Sequence, residues 1–441
     1  MGRSDCHTAR NGVDKVRNLQ RALYRKSKQE KEARFYSLYD KVWRTEVLWE
    51  AWRQVKANHG APGIDGKTIE EIVETGQEAA LIEKLQVALQ ARHYQFAPVR
   101  VVAIPKPRGG TRPLGIATIE DRVGQTAMKL VLEPSFEADF HACSYGYRPK
   151  RDARQATLAI REDLYNQAWG VVESDFQSYF TSIPHGKRMK VLTKRIADGS
   201  MLKLIKQTLK VGSWDKGQVK PTKIGVPQGS PSSPLYSNLY LNLLDQLWQS
   251  RAYPAKLGAT LHRYADDALL VCHKSAKPAL AALEAIAKRR DLTLNREKTR
   301  ETRLSQGFDF LGVQFVKRKS PTTGTQAIYR FPAKSAQQSI RNKLKYLTSR
   351  RAPISPQEFV AKVNPLVTGW VNYFRHTNAS QAFRGLQRFV NIRFRRYLTQ
   401  RSKGRGFGWN RYPNSKLYAM GLAYIGSGQL EYVAKPAHGG R

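Results

Sequence analysis

Cysteine is scarce in this 441-residue chain: Cys6, Cys143 and Cys272 stand alone, with no C-x-x-C pair. That argues against both a disulfide framework and a cysteine-based zinc module. There is no run of about 18 apolar residues to span a bilayer. The opening Met1-Gly2-Arg3-Ser4-Asp5-Cys6 lacks both the apolar core of a signal peptide and the Ser/Thr of a myristoylation site. The sequence therefore predicts a cytoplasmic protein without a membrane partner. Acids are also few, with 35 Asp and Glu against 75 Lys and Arg and a formal net charge of +40. Such a chain repels itself unless a polyanion neutralises it, and the regularly spaced phosphates of nucleic acid answer that need. Wholesale disorder is excluded, because 41% of residues are hydrophobic and 10% aromatic. At about 100–200 residues per domain, two to four domains fit.

No solenoid-length repeat divides the chain, so local pattern and charge must. Residues 1–57 carry 14 basic and 7 acidic side chains, and Val16, Leu19, Leu23, then Leu38, Val42, and Leu48, Trp52, Val55 recur at helical spacing. This segment reads as a basic helical extension. Val99–Ile104 and Arg112–Ile116 read as strands flanking a basic turn, Pro105-Lys-Pro-Arg-Gly-Gly110. Helices are expected near Ile82–Ala91, Arg122–Leu132 and Ala153–Gln167, ahead of the apolar strand Gly170–Ser174. Two apolar arms on either side of Ala265-Asp266 within Thr260–Cys272 predict a β-hairpin, followed by a helix at Pro278–Arg289. From Lys334 onward the balance is 20 basic residues to two acids, Glu358 and Glu431. There Ser355-Pro-Gln-Glu358 is a capping box opening a helix with the stripe Phe359, Val363, Val367, Trp370 and Phe374, and Pro365 predicts a kink. The next helix, Ser380–Tyr397, turns Phe383, Leu386 and Val390 inward and carries Arg384, Arg388, Arg393, Arg395 and Arg396 elsewhere.

Asp266 and Asp267 are adjacent carboxylates at a hairpin turn, and they repel unless a cation lies between them. Alone, an Asp-Asp turn is more often a solvated turn than a metal site. A further acid, Asp175, ends the strand Gly170–Ser174. Carboxylates from separate strands can hold a pair of Mg²⁺ ions about 3.5–4 Å apart, which activate a 3′-hydroxyl and stabilise a leaving pyrophosphate. Hard oxygen donors suit Mg²⁺, and no His/Cys cluster competes. Between the acids, Gly225-Val-Pro-Gln-Gly-Ser-Pro-Ser-Ser-Pro-Leu235 opens a helix running to Trp248. Its glycines permit close backbone approach and its N-terminus offers free N–H groups to phosphate or template; a plain loop-to-helix cap is the other reading. Gln228 is the amide placed to touch an incoming nucleotide.

The ordered set Lys106/Arg112, Asp175 with Phe180, Gly225-Val-Pro-Gln-Gly229, Tyr264-Ala-Asp-Asp267, Glu297-Lys-Thr299 and Phe310-Leu-Gly312 resembles the reverse transcriptases encoded by group II introns. Asn58-His-Gly-Ala-Pro-Gly-Ile-Asp-Gly66, Ile104–Ile116 and Ser144-Tyr-Gly-Tyr-Arg-Pro149 carry the group II character, and Asn364–Phe374 is similar to the maturase, or thumb, signature. The match spans nearly the whole chain.

The resemblance implies an α+β right-hand polymerase. Residues 1–57 would be a basic extension, 58–333 fingers and palm with an antiparallel palm sheet, 334–401 a helical thumb/maturase domain, and 402–441 a basic tail. It implies RNA-directed DNA synthesis with two Mg²⁺ ions, using an RNA template, a DNA primer and dNTPs, and a ribonucleoprotein with group II intron RNA. Asp175, Asp266 and Asp267 would be the catalytic, metal-binding acids, with the Phe176 carbonyl as a further ligand. Lys106 and Arg112 would clamp the triphosphate, with Lys298 near the leaving phosphate. Phe180 would collide with a ribose 2′-hydroxyl, and Arg393, Arg395 and Arg396 would bind RNA. Phe176, Ser178 and Thr181 depart from the family's usual run, Thr181 standing where most relatives carry Asp. No Cys/His-rich segment follows the maturase-like region, so an H-N-H endonuclease is not expected. Two competing readings stay open: an RNA-binding splicing factor with a relic polymerase, and a reverse transcriptase serving defence or repair.

Overall fold

The computed structural model describes residues 3–105, 110–165, 168–177, 179, 183–215, 217–222, 225, 229–348, 354–402, 406–426 and 430–431, with side chains from 12 to 426. Lys106, Phe180 and Gln228 lie outside the described residues. Helices and sheets are mixed along the chain. The chain divides into two compact units, Met1–Asp152 with Val172–Arg300, and Ala153–Val171 with Glu301–Arg441.

In the first unit the helix Arg3–Gln29 buries Val16 and Leu23 and leaves Lys15, Arg17, Arg21 and Arg25 exposed. It packs on the helices Thr45–Ala57 and Ile119–Glu137, sharing one core with Val47, Leu48, Val123 and Val131. That shared core joins residues on both sides of residue 57. The strands β1 (Val99–Pro105) and β2 (Thr111–Ile116) pair antiparallel from Arg100↔Ile116 to Pro105↔Thr111, two strands as the sequence predicts. After β3 (Gly170–Asp175), the short strands β4 (Ser213–Asp215) and β5 (Gln218–Lys220) extend that first sheet in the order β2-β1-β4-β5.

The hairpin β6 (Ala259–Tyr264) and β7 (Asp267–Cys272) pairs in register from Ala259↔Cys272 to Tyr264↔Asp267, and β7 lies beside β3. β7 is buried at every position after Asp267. Such a near-continuous apolar strand needs cover. The helices Ser233–Ser250 and Ala276–Arg289 supply it, packing Leu241, Leu244, Trp248, Leu283 and Ile286 with Leu261, Leu270 and Val172.

After β8 (Arg300–Arg303), which ends the strand order β6-β7-β3-β8, the second unit forms a sheet ordered β11-β10-β9, made of β9 (Phe308–Phe310), β10 (Val313–Lys319) and β11 (Gln326–Pro332). This sheet belongs with the helices after it. Asn378 N–H donates to the Arg330 carbonyl at 2.6 Å, Arg330 N–H returns a bond to Asn378 Oδ1 at 2.9 Å, and Tyr373 Oη donates to the Leu311 carbonyl at 2.8 Å. The border of the unit therefore falls near residue 300. The capping box forms as the sequence predicts: Ser355 Oγ accepts from Glu358 N–H at 3.1 Å, opening the helix Pro356–Phe374. Phe359, Val363, Val367 and Phe374 are buried, and Phe359 stacks on Phe394 of the helix Ser380–Arg401 with ring centres 4.6 Å apart. Among the described residues, no helix is long and apolar enough to cross a membrane.

Candidate active site

The apolar run of β3 ends at Asp175, and the β6–β7 turn, only Ala265 and Asp266 long, delivers Asp266 and Asp267 to the neighbouring strand end. Ser174 Oγ donates to the Ala268 carbonyl at 3.2 Å, tying these two acid-bearing ends together. Beyond β3, Asn295 N–H donates to the Asp175 carbonyl and Gln177 N–H to the Thr293 carbonyl, each at 2.8 Å. This exchange flanks the bridge Phe176↔Leu294 without using the Phe176 carbonyl. The Phe176 ring is buried, 6.1 Å from that of Tyr179.

Electrostatics shows that the three acids share one locality. Burial raises the Asp266 carboxyl above the ordinary range, a backbone hydrogen bond opposes it, and Asp175 raises it further. For Asp267, crowding by surrounding protein comes first, then Asp266 and Asp175, and together they push it up to about 6. Arg112 and Lys298 pull both values down. Lys298 Nζ donates to Asp175 Oδ2 at 2.5 Å, while the charge of Arg112, on β2, acts on Asp266 and Asp267. The structure thus gathers five sequence-predicted residues, Asp175, Asp266, Asp267, Arg112 and Lys298. Among the described residues, no group of three or more His, Cys, Asp or Glu side chains converges on a single metal position. The donor chemistry still fits a hard divalent cation: the groups are all oxygen, they repel one another, and a cation between them removes that repulsion.

Sequence reasoning missed what holds the turn. Arg263 in β6 and Asp245 in the helix Ser233–Ser250 form a fully buried pair, with Arg263 Nη2 2.6 Å from Asp245 Oδ2. Arg263 Nη1 donates to the Ala265 carbonyl at 2.8 Å and to Asn238 Oδ1 at 3.1 Å, while Asn238 Nδ2 donates to the Gly146 carbonyl at 2.7 Å. Ala265 adopts a left-handed conformation (φ 56°), unfavourable for a residue with a Cβ, and this network holds it there. A Cβ on Gly146 would lie 2.5 Å from the Ala265 nitrogen, so only glycine lets Ser144–Tyr147 pass the turn this closely. Tyr147, left-handed at φ 56° and 54% exposed, stands beside the acids; burial raises its hydroxyl pKa, with Asp266 and Tyr264 adding to the rise. The readable signal was an arginine inside an apolar strand, directly before Tyr264-Ala-Asp-Asp267.

The three arginines expected on the RNA surface differ. Arg396 is half-buried, and Arg393 is also half-buried, donating from Nε to Thr348 Oγ1 at 3.0 Å. Arg395 corrects the expectation. It is 1% exposed, and donates from Nε to the Tyr412 carbonyl (2.8 Å) and from Nη2 to Asn414 Oδ1 (2.6 Å), so it supports the surface from below. Arg384, Arg388 and Arg401 are the exposed arginines of that helix.

Residues 104–315 match the family described as "Reverse transcriptase (RNA-dependent DNA polymerase)", and residues 337–413 match "Group II intron, maturase-specific domain". "Protein YkfC" of Escherichia coli (strain K12) is 31% identical over 365 residues, covering 73% of this chain and 93% of that protein. "Group II intron-encoded protein LtrA" of Lactococcus lactis subsp. cremoris is 32% identical over 213 residues, covering 48% of this chain and 35% of that protein. The chain therefore spans most of the first relative and about a third of the second.

Proposed function

We propose, from the premise that this chain belongs to the group II intron-encoded reverse transcriptase/maturase family, that it extends a primer 3′-hydroxyl with deoxynucleotides on an RNA template. We also propose that it binds group II intron RNA and promotes its splicing and mobility. The observation carrying the polymerase reading is the meeting of Asp175, Asp266 and Asp267 at adjacent strand ends, with Arg112 and Lys298 as the nearby cations.

In this reading residues 58–333 work as fingers and palm of a right hand and 334–401 as the thumb. Residues 1–57 and 402–441 add basic surface. The sheet holding β3, β6 and β7 would be the palm, and the β1–β2 ribbon would reach over the nucleotide. Two Mg²⁺ ions held by the three carboxylates and the Phe176 carbonyl would supply, when bound, activation of the 3′-hydroxyl and neutralisation of the leaving pyrophosphate. The remaining tasks fall to side chains. Arg112, a planar fork, and Lys106, a point charge, hold the triphosphate oxygens. By the family resemblance, Gln228 would touch the incoming nucleotide and Phe180 would exclude a ribose 2′-hydroxyl. Lys298 offsets negative charge as pyrophosphate departs. RNA affinity comes from phosphate contacts by the exposed arginines, and specificity from RNA shape.

Primer extension on an RNA template, comparing dNTPs with rNTPs, tests the polymerase reading. Extension with dNTPs alone is expected, and Phe180→Ala should admit rNTPs. Absence of extension with RNA binding retained would instead identify a splicing factor built on a polymerase scaffold.

A further inference from the structure

The helix Ser380–Arg401 buries a polar row at every fourth position: Gln387, Asn391, Arg395 and Thr399. Against its end lies the turn Gly406-Phe407-Gly408-Trp409. A Cβ on Gly408 (φ +67°) would sit 2.2 Å from Thr399 Oγ1, so glycine lets the turn press onto the helix. The two rings this turn carries are nonetheless exposed, Phe407 by 48% and Trp409 by 52%.

Their inner sides are engaged by cations. The Arg395 guanidinium carbon lies 4.0 Å from the centre of the Trp409 ring, and that of Arg396 lies 5.4 Å from Phe407. Arg395 Nη1 is buried without a hydrogen-bond partner among the described residues, and the indole face lies against the guanidinium that carries it. The ring centres are 6.5 Å apart at an interplanar angle of 38°. A core pair would be covered, and an idle surface ring would not have a buried arginine held behind it by Tyr412 and Asn414. With one face drawn toward a cation, the outer indole face suits stacking on an electron-rich ring. Nucleobases have such faces, and the surrounding excess of Lys and Arg attracts the phosphates that accompany them.

We propose that Trp409, with Phe407 beside it, is a stacking plate for an unpaired base of bound RNA. The proposal rests on the RNA-binding reading above and adds the chemical group recognised. Duplex RNA keeps its bases stacked internally and does not offer that face.

The test uses the full chain and fluorescence anisotropy with an adenine-rich single-stranded oligoribonucleotide, a blunt RNA duplex of equal length and a single-stranded DNA of the same sequence. Trp409→Leu is expected to weaken single-stranded RNA binding about tenfold, the size of one base–aromatic stack, with duplex affinity changed less than twofold. Trp409→Phe should restore most of the loss. The slope of affinity against salt should stay as in the wild type, because stacking releases no counterions. If Trp409→Leu lowers the melting temperature, Phe407→Ala, further from Arg395, provides the same reading with a smaller loss. Equal losses on duplex and single strand, no loss with either variant, or a loss confined to DNA would each overturn the proposal. Failure of the wild type to extend a primer would sink the polymerase reading while leaving this test intact, since binding is read without catalysis.

Discussion

Arg263 and Arg395 are both almost wholly buried, yet they meet burial in different ways. Burial alone would pull Arg263 down, but Asp245 more than offsets it and the guanidinium pKa ends raised. Arg395 faces carbonyls, an amide and an indole, and burial leaves its pKa lowered. The first arginine is neutralised on the spot, so it fixes the Ala265 turn while adding no net charge beside the proposed catalytic acids. The second keeps its charge in a region with almost no acids, where it supports a surface built for a polyanion. One residue type thus serves as scaffold in one place and as part of a field in the other, depending on whether a carboxylate was placed with it.

Breaking the two sites separately gives the largest expected contrast. Arg263→Met leaves Asp245 buried without its partner and should destabilise the fold by about 3–5 kcal/mol in urea denaturation. Replacing both, Arg263→Met with Asp245→Leu, should cost less than either change alone. Arg395→Met removes hydrogen bonds but strands no opposite charge, so its cost should be about 1–3 kcal/mol. Equal costs at the two sites would dissolve the comparison.

Gly146→Ala sharpens the scaffold half. The added methyl meets the Ala265 nitrogen and must move the turn. Displacing catalytic groups by about 1 Å can cost roughly a hundredfold in rate. A loss of kcat of about that size, at nearly unchanged RNA affinity, is therefore expected in steady-state extension assays.

For the field half, Arg384→Glu with Arg388→Glu should weaken intron RNA binding and lower the salt slope by about 0.7–0.9 for each phosphate that is no longer neutralised. Binding that is unchanged at every salt concentration would place the RNA elsewhere.

The smallest effect concerns pH. Asp267 has its folded pKa raised from 3.8 to about 6, so its contribution to stability is fully present below 3.8 and is lost as pH rises through about 6. In chelator, Asp267→Asn should therefore melt higher than wild type at pH 8. The gap should narrow as pH falls below about 6 and vanish below the ordinary carboxylate range. A gap independent of pH would remove the proposed crowding of the acids.

Much of this was legible in the sequence because it is local. The β6–β7 hairpin follows from apolar arms around a two-residue turn, the Ser355 cap from a four-residue pattern, and the β1–β2 ribbon from its flanking strands. What escaped depends on distant partners. Arg263 finds Asp245 across 18 residues, and Gly146 touches a turn formed more than a hundred positions later. Arg395 was misread because only apolar residues were counted in the helix stripe. The i+4 row Gln387, Asn391, Arg395 and Thr399 points inward with it, and Gln387, Asn391 and Arg395 bond to segments between Tyr412 and Ile425. The bonds from the β9–β11 region to residues past 370 escaped for the same reason.

The most direct test of the central claim is primer extension by wild type and Asp266→Asn on one RNA template, with RNA affinity measured on the same samples. The account predicts that the variant binds RNA within about twofold of wild type and loses extension by a factor on the order of a thousand or more, as expected when a carboxylate of a metal-dependent site is neutralised. Extension by the variant at a rate near that of wild type would contradict the assignment of this hairpin as the catalytic centre.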